Sequence, residues 1–289
     1  MKTAAASFLR CLLPAALFLV VEPMASAQDG APLITATPIT KVPFIIKKPG
    51  TYLVKSDLQY TATTGAAITI TTGGVNLDLG GHTTSGVFSF GDANTSIGIS
   101  GGGGYSSFRH GTLIGFRQGV LNDPTHSETT FGHFVLQDLS AIGCGEGGID
   151  VTASFVEVLH CYIGGTGGVS ASAATALYGL RVHAEIYRVE NNTIADIGTV
   201  AGQFPFGMDL TAIRQGSVID HNTVTDYFNS TGGFGVTVNS SPAFVTENTV
   251  SFFDFGFSLP AGSKYRANLT SGCNTPFAGS GTAVGSENN

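Results

Sequence analysis

Val189-Glu190-Asn191-Asn192-Thr193-Ile194, Ile219-Asp220-His221-Asn222-Thr223-Val224 and Val245-Thr246-Glu247-Asn248-Thr249-Val250 are three copies of one pattern. In each, an apolar residue stands three before an asparagine and another stands two after it. Phe108/Gly111/Leu113 and Val158/Cys161/Ile163 fit the same pattern. Val135/Asp138/Ser140 fits with a polar second slot, and Gly80 in Leu77-Asp78-Leu79-Gly80-Gly81-His82 fits loosely. The turn positions are then 80, 111, 138, 161, 192, 222 and 248, separated by 23 to 31 residues. A repeat in that range marks stacked supersecondary units, with turns that vary in length and strands that do not.

A second element follows each turn: Gly-apolar-x-apolar, as in Gly148-Ile149-Asp150-Val151, Gly179-Leu180-Arg181-Val182, Gly207-Met208-Asp209-Leu210 and Gly235-Val236-Thr237-Val238. Alternation sends the flanking apolar residues to one side of a strand and the middle residue to the other. One such rung cannot bury its own apolar side, whereas rungs stacked as parallel strands enclose a continuous interior. The crossovers between them are expected to be right-handed. Asn192, Asn222 and Asn248 recur at one turn, where asparagine tolerates left-handed backbone and reaches its copy one rung away. The fold class expected is all-β: a single-domain right-handed parallel β-helix with an N-terminal cap and a flexible C-terminal tail.

These rungs, with the opening Lys48-Pro49-Gly50-Thr51-Tyr52-Leu53 and the Leu77 to His82 segment, make the chain resemble the right-handed parallel β-helix repeat proteins. That broad superfamily also contains pectate-lyase-like enzymes. The resemblance spans about residues 40 to 260 and speaks to scaffold more than to activity. It divides the chain into a cap over 28–60, repeats over 61–260 and a Gly/Ser/Asn-rich tail over 261–289, read as extended.

Ahead of the cap, Lys2 and Arg10 precede an apolar run from Cys11 to Val21, closing on Ala25-Ser26-Ala27. This reads as a signal peptide over 1–27, so the protein is expected to be secreted or periplasmic and not inserted in a membrane. The net charge of −7 becomes −8 once Lys2, Arg10 and Glu22 are removed. A chain this acidic lacks the basic patch that nucleic acids and anionic membranes require. Cys144, Cys161 and Cys273 remain after cleavage, an odd count that permits at most one internal disulfide.

If the rungs are in register, the middle residues form an outward column of Leu121, Asp150, Arg181, Asp209, Thr237 and Ser258. The next outward column holds Thr152, His183, Thr211 and Asn239. Asp150, Arg181, His183 and Asp209 thus converge on three successive rungs of a sparsely charged protein and form the candidate catalytic site. In the resembling lyases, a cation or an arginine neutralises a uronate carboxylate while a basic side chain removes the proton beside it. The resemblance therefore implies that Asp150 and Asp209 hold calcium or act as acid and base, that Arg181 binds the carboxylate and that His183 moves the proton. Nothing in the sequence itself demands a cofactor. The β-carbons of Asp150 and Asp209, two rungs apart, would be roughly 9 to 10 Å from each other, which keeps a glycoside hydrolase among the readings. The competing interpretation is a solvated sheet that alternates charge to avoid like neighbours.

Other columns point less clearly to chemistry. His110, Gln137, His160, Asn191, His221 and Glu247 precede the turns, with the histidines on separated rungs that suit decoration better than metal binding. Thr193, Thr223 and Thr249 follow the turns, beside Tyr162 and Leu139, as β-propensity favours. Phe252 to Phe257 is expected to fill and seal the last rung, and tryptophan is absent. No nucleophile elbow, phosphate loop or dinucleotide fingerprint is present. The paired aspartates of polygalacturonases and the Arg-x-Pro-x-x-Arg of pectate lyases are also missing. The expected partner is a polysaccharide or cell-envelope glycan, met by a lyase or epimerase on acidic glycans or by a non-catalytic glycan-binding or cell-surface solenoid.

Overall fold

The computed structural model describes residues 35–89, 91–122, 132–168, 176–198, 204–227 and 232–285. The 1–27 stretch expected to be a signal peptide, with Cys11, lies outside the described residues, as do the first residues of the cap and the last four of the tail. The described chain is all strand and turn, wound as a parallel β-helix whose coils each present up to three faces.

The first face stacks Ala66–Ile70, Ile97–Gly101, Gln118–Asn122, the start of Gly147–Leu159, the start of Ala176–Glu190, Phe204–Ala212, Phe234–Ser240, Phe255–Leu259 and Thr275–Gly279, all in parallel. The second face carries the strands just ahead of the repeating turns, from Gly50–Val54 to Lys264–Arg266. The third carries those just after them, from Leu58–Gln59 to Leu269–Ser271. Alternation decides the packing. Val120, Ile149, Leu180, Met208, Val236 and Phe257 form one inward column of the first face, each about 1% exposed or less.

A glycine seam runs beside that column through Gly119, Gly148, Gly179, Gly207, Gly235 and Gly256. A Cβ at Gly148 would lie 2.3 Å from Ile163 Cγ2, and one at Gly179 would lie 2.5 Å from Ile194 Cγ2. The seam thus lets the first face close against side chains of the third.

The asparagine ladder is present and longer than expected. Asn192 Nδ2 donates to Asn222 Oδ1 at 2.9 Å, Asn222 to Asn248 at 2.9 Å and Asn248 to Asn268 at 2.9 Å. All four residues are at most 1% exposed, and each also donates to a backbone carbonyl of the preceding rung. The left-handed backbone expected of these asparagines falls one residue earlier, on Asn191, His221, Glu247 and Ala267. The corner residue takes the strained conformation so that the asparagine behind it can point inward.

The same corner corrects one alignment. Gly111 pairs with Leu139, and Asp138, with φ of 53°, stands beside His110 and His160. Leu139 faces the core, and aspartate tolerates the left-handed corner, so the polar residue marks the corner and not the slot behind it. The column before the turns therefore contains Asp138 in place of Gln137. His110 Nε2 lies 3.5 Å from Asp138 Oδ2, His160 Nδ1 lies 3.8 Å from Asp138 Oδ1, and His221 Nε2 lies 2.7 Å from Glu247 Oε2. The threonine column Thr193, Thr223, Thr249 is in register, preceded by Tyr162 and Ser140 in place of Leu139.

Coiling continues past 260. Lys264–Arg266, Leu269–Ser271 and Thr275–Gly279 pair in register with the preceding rung, and Phe277 stacks on Phe257 and Tyr265 at 5.2 and 4.8 Å between ring centres. Phe253 and Phe257 fill the core, while Phe255 turns outward against Phe234. Cys144, Cys161 and Cys273 are free thiols. Burial pushes Cys144 and Cys161 up to about 12, which leaves them unreactive.

Candidate functional site

The first face carries the expected column in the expected register. Leu121 pairs with Asp150, Asp150 with Arg181, Arg181 with Asp209, Asp209 with Thr237 and Thr237 with Ser258. Beside it, Thr152 pairs with His183, His183 with Thr211 and Thr211 with Asn239. The glycine at the head of each strand fixes the phase, so every middle residue points away from the core.

Pointing outward is not the same as being solvated. Asp150 is only 8% exposed, because Tyr178 leans over it. The Tyr178 hydroxyl donates to Asp150 Oδ2 at 3.1 Å and accepts from Gln118 Nε2 at 2.8 Å and from Arg181 Nη2 at 3.0 Å. Arg181 Nη2 also donates to Asp150 Oδ2, and its guanidinium carbon lies 4.0 Å from the centre of the Tyr178 ring. A carboxylate, a guanidinium and a phenol thus fix one another, with the cation held both by hydrogen bonds and by the ring face.

This cluster exists because Gly147 stands one rung away from Tyr178. A Cβ there would lie 2.1 Å from the tyrosine ring. Gln118, Gly147, Tyr178, Phe206, Phe234 and Phe255 occupy one column, the residue before each seam glycine. Its far half is an aromatic stack, Phe206 on Phe234 at 5.3 Å and Phe234 on Phe255 at 4.6 Å, with nearly parallel planes. The rings spend their faces on one another and offer edges outward. Tyr178, Gln118 and Gly147 were not among the sequence candidates, and that column is the signal that would have found them.

Above the cluster lies an open cleft of about 460 Å³, lined by Gln118, Leu121, Asn122, Asp150, Thr152, Arg181 and His183. Its lining comes from three consecutive rungs, so it spans about 10 Å along the solenoid axis. Asp150, Arg181 and His183 are brought together there; Asp209 lies one rung further, outside the lining, with its Oδ1 accepting from Asn239 Nδ2 at 2.8 Å. Asn122 is buried and donates to the Thr152 carbonyl at 3.0 Å, and among the described residues its own Oδ1 has no partner.

The ionisable groups are tuned by these surroundings. Burial, then the nearby Asp150 charge, raises Tyr178 and keeps it a phenol. Burial pulls Arg181 down, but its hydrogen bond to Asp150 and the neighbouring anions outweigh it, so the guanidinium stays charged. Asp209 is raised above the usual carboxylate range by burial, against the pull of His183, Arg181 and the Asn239 hydrogen bond. Among the described residues, no group of three histidine, cysteine or acidic side chains is disposed to hold a metal ion. Comparison with known protein families, with curated proteins and with solved structures returns no match.

Proposed function

We propose that the protein is an exported, polysaccharide-active β-helix of the pectate-lyase-like kind, acting on an acidic glycan by β-elimination or epimerisation. One observation carries the reading: Arg181 and His183, two residues apart on one strand, face the same axial cleft, and the arginine is already fixed by Asp150 and Tyr178. A guanidinium held in place stabilises the charge that develops on a uronate carboxylate when the adjacent carbon loses its proton. His183 is exposed at the cleft and takes that proton. In elimination, the carbon's electron pair forms a double bond to the next carbon and expels the glycosidic oxygen. In epimerisation, a proton returns to the opposite side of the same carbon.

Incubation of the mature protein with uronate polysaccharides, with and without calcium, tests this by the ultraviolet absorbance of the unsaturated product and by the stereochemistry at the carbon beside the carboxylate. Arg181→Ala and His183→Ala are expected to abolish turnover while leaving far-ultraviolet circular dichroism unchanged. Full turnover in both variants would overturn the assignment.

Binding without catalysis is the second reading, favoured by the commitment of Asp150 Oδ2 to two internal donors. Hydrolysis is favoured less, since it calls for two carboxyl groups facing one ligand and Asp209 stands outside the cleft lining.

A further inference from the structure

The charges of the first face alternate along the axis in a way that restricts what can lie there. Leu121 is uncharged, Asp150 is anionic, Arg181 is cationic with His183 beside it, Asp209 is anionic, and Thr237 and Ser258 are uncharged. Neighbouring rungs are about 4.8 Å apart. An extended ligand that lies along the axis through the cleft and on past its Arg181 end therefore meets a cationic rung flanked on each side by a carboxylate.

The guanidinium itself has limited capacity. Among the described residues, its hydrogen bonds to Asp150 and Tyr178 both leave from Nη2. Both ways of offering two parallel donors to one carboxylate, end-on or side-on, use Nη2, so neither edge of the fork is wholly free. What remains is three N–H groups on Nη1 and Nε, none of them paired in a free fork, so an incoming carboxylate is met in single-point contact. A second carboxylate, on either neighbouring unit, would lie over Asp150 or Asp209 and be repelled.

We infer that the ligand is a mixed polysaccharide in which each acidic unit is flanked by uncharged ones, laid along the solenoid axis with its carboxylate over Arg181 and His183. This rests on the proposed reading of the cleft as a site for an acidic glycan. Asp150 and Asp209 are then specificity-determining residues: Asp150 holds the cation and, with Asp209, excludes runs of charge. The hydroxyl groups of Thr152 and Thr211 and the amide of Asn239 lie along the His183 column and suit the neutral units. Like-charge juxtaposition at an interface weakens binding by about tenfold or more.

The test compares three polymers of matched length: a homopolymer of a uronate, a strictly alternating copolymer of that uronate with a neutral sugar, and the neutral homopolymer. Affinity of the mature full chain for each is measured by calorimetry at neutral pH and low salt. The alternating polymer is expected to bind at least about tenfold more tightly than the homopolyuronate. In Asp209→Asn the gap is expected to narrow, because only the homopolyuronate gains; Asp150→Asn is expected to narrow it further, with folding checked by circular dichroism. Equal or tighter binding of the homopolyuronate by the unmutated protein overturns the inference and leaves the acidic-glycan reading intact. An unchanged gap in folded Asp209→Asn does the same. Retention of the neutral polymer alone, or of none of the three, overturns the underlying reading itself.

Discussion

Two polar ladders run along this solenoid, one inside and one outside, and they obey opposite rules. The inner ladder repeats a single residue, Asn192, Asn222, Asn248 and Asn268, and closes every hydrogen bond between amide and amide or amide and backbone. The outer ladder repeats no residue on adjacent rungs: Asp150, Arg181 and Asp209 alternate in charge, and Tyr178 and Gln118 complete a cluster found, among the described residues, at one level. Asparagine serves inside because it donates and accepts at once, so identical copies satisfy one another without charge. A carboxylate accepts only and a guanidinium donates only, so an outer ladder of ions must change identity at each rung and leaves unused capacity where the series stops. Repetition marks scaffold; broken repetition marks the site.

The sharpest way to break this contrast is to cut the inner ladder. Asn222→Ala removes the acceptor for the Asn192 amide and the donor to Asn248 and to the Val189 carbonyl, all in the core. A loss of about 3 kcal/mol or more is expected in urea unfolding, from several buried groups left unpaired. A loss under about 1 kcal/mol would mean that the ladder does not hold the fold.

Cutting the outer ladder should cost less stability and more function. Arg181→Ala leaves the Asp150 carboxylate buried without its cation, an expected loss of about 2 kcal/mol at a site whose arginine side chain is 30% exposed. Glycan retention should disappear together with turnover. Gly147→Ala is milder still: the added methyl displaces the Tyr178 ring, which the near-ultraviolet circular dichroism of that tyrosine should report, with glycan affinity falling about tenfold as Arg181 loses its ring support. An unchanged tyrosine signal would show that the ring does not depend on the gap.

The smallest effect concerns proton binding. Asp209 is raised in the folded state above its usual 3.8, so the folded protein holds that proton longer than the unfolded chain does. The contribution to stability is full below the unfolded value and is lost as pH rises through the folded one. Asp209→Asn does not titrate in this range, so the variant should exceed the unmutated protein in Tm at neutral pH by under about 1 kcal/mol of stability, with the difference closing toward pH of about 4. Melting curves of both proteins at the two pH values check the sign. A variant that is less stable at neutral pH would show that the carboxylate is held favourably after all.

The fold was legible because the interior imposes a local rule: the residue beside each turn and the residues flanking each x must face inward, whatever their partners are. The outward column was legible for a related reason, since the seam glycines set its phase. Asp138 is displaced by one from its expected slot because a polar residue suits either the slot or the left-handed corner, and here it occupies the corner in front of Leu139. Asn268 was overlooked because its surroundings, rich in Gly, Ser and Asn, resemble a solvated tail in composition alone. The Tyr178 cluster was out of reach for a different reason: it depends on the missing side chain of Gly147, 31 residues earlier in the chain and one rung away in space. The choice of Asp150 over Asp209 as the partner of Arg181 was equally hidden, because register makes both of them neighbours.

The glycine seam has a mechanical meaning for the cleft. Gly148 and Gly179 stand two residues before Asp150 and Arg181, and the spaces where their side chains would be are filled by methyl groups of Ile163 and Ile194, which belong to the opposite wall. The floor of the cleft is therefore braced from the rear, like a thin panel resting on studs. Trimming Ile163 or Ile194 is expected to slacken that floor without touching a single residue that lines the cleft, so the firmness of the cleft depends partly on residues at the back of the molecule.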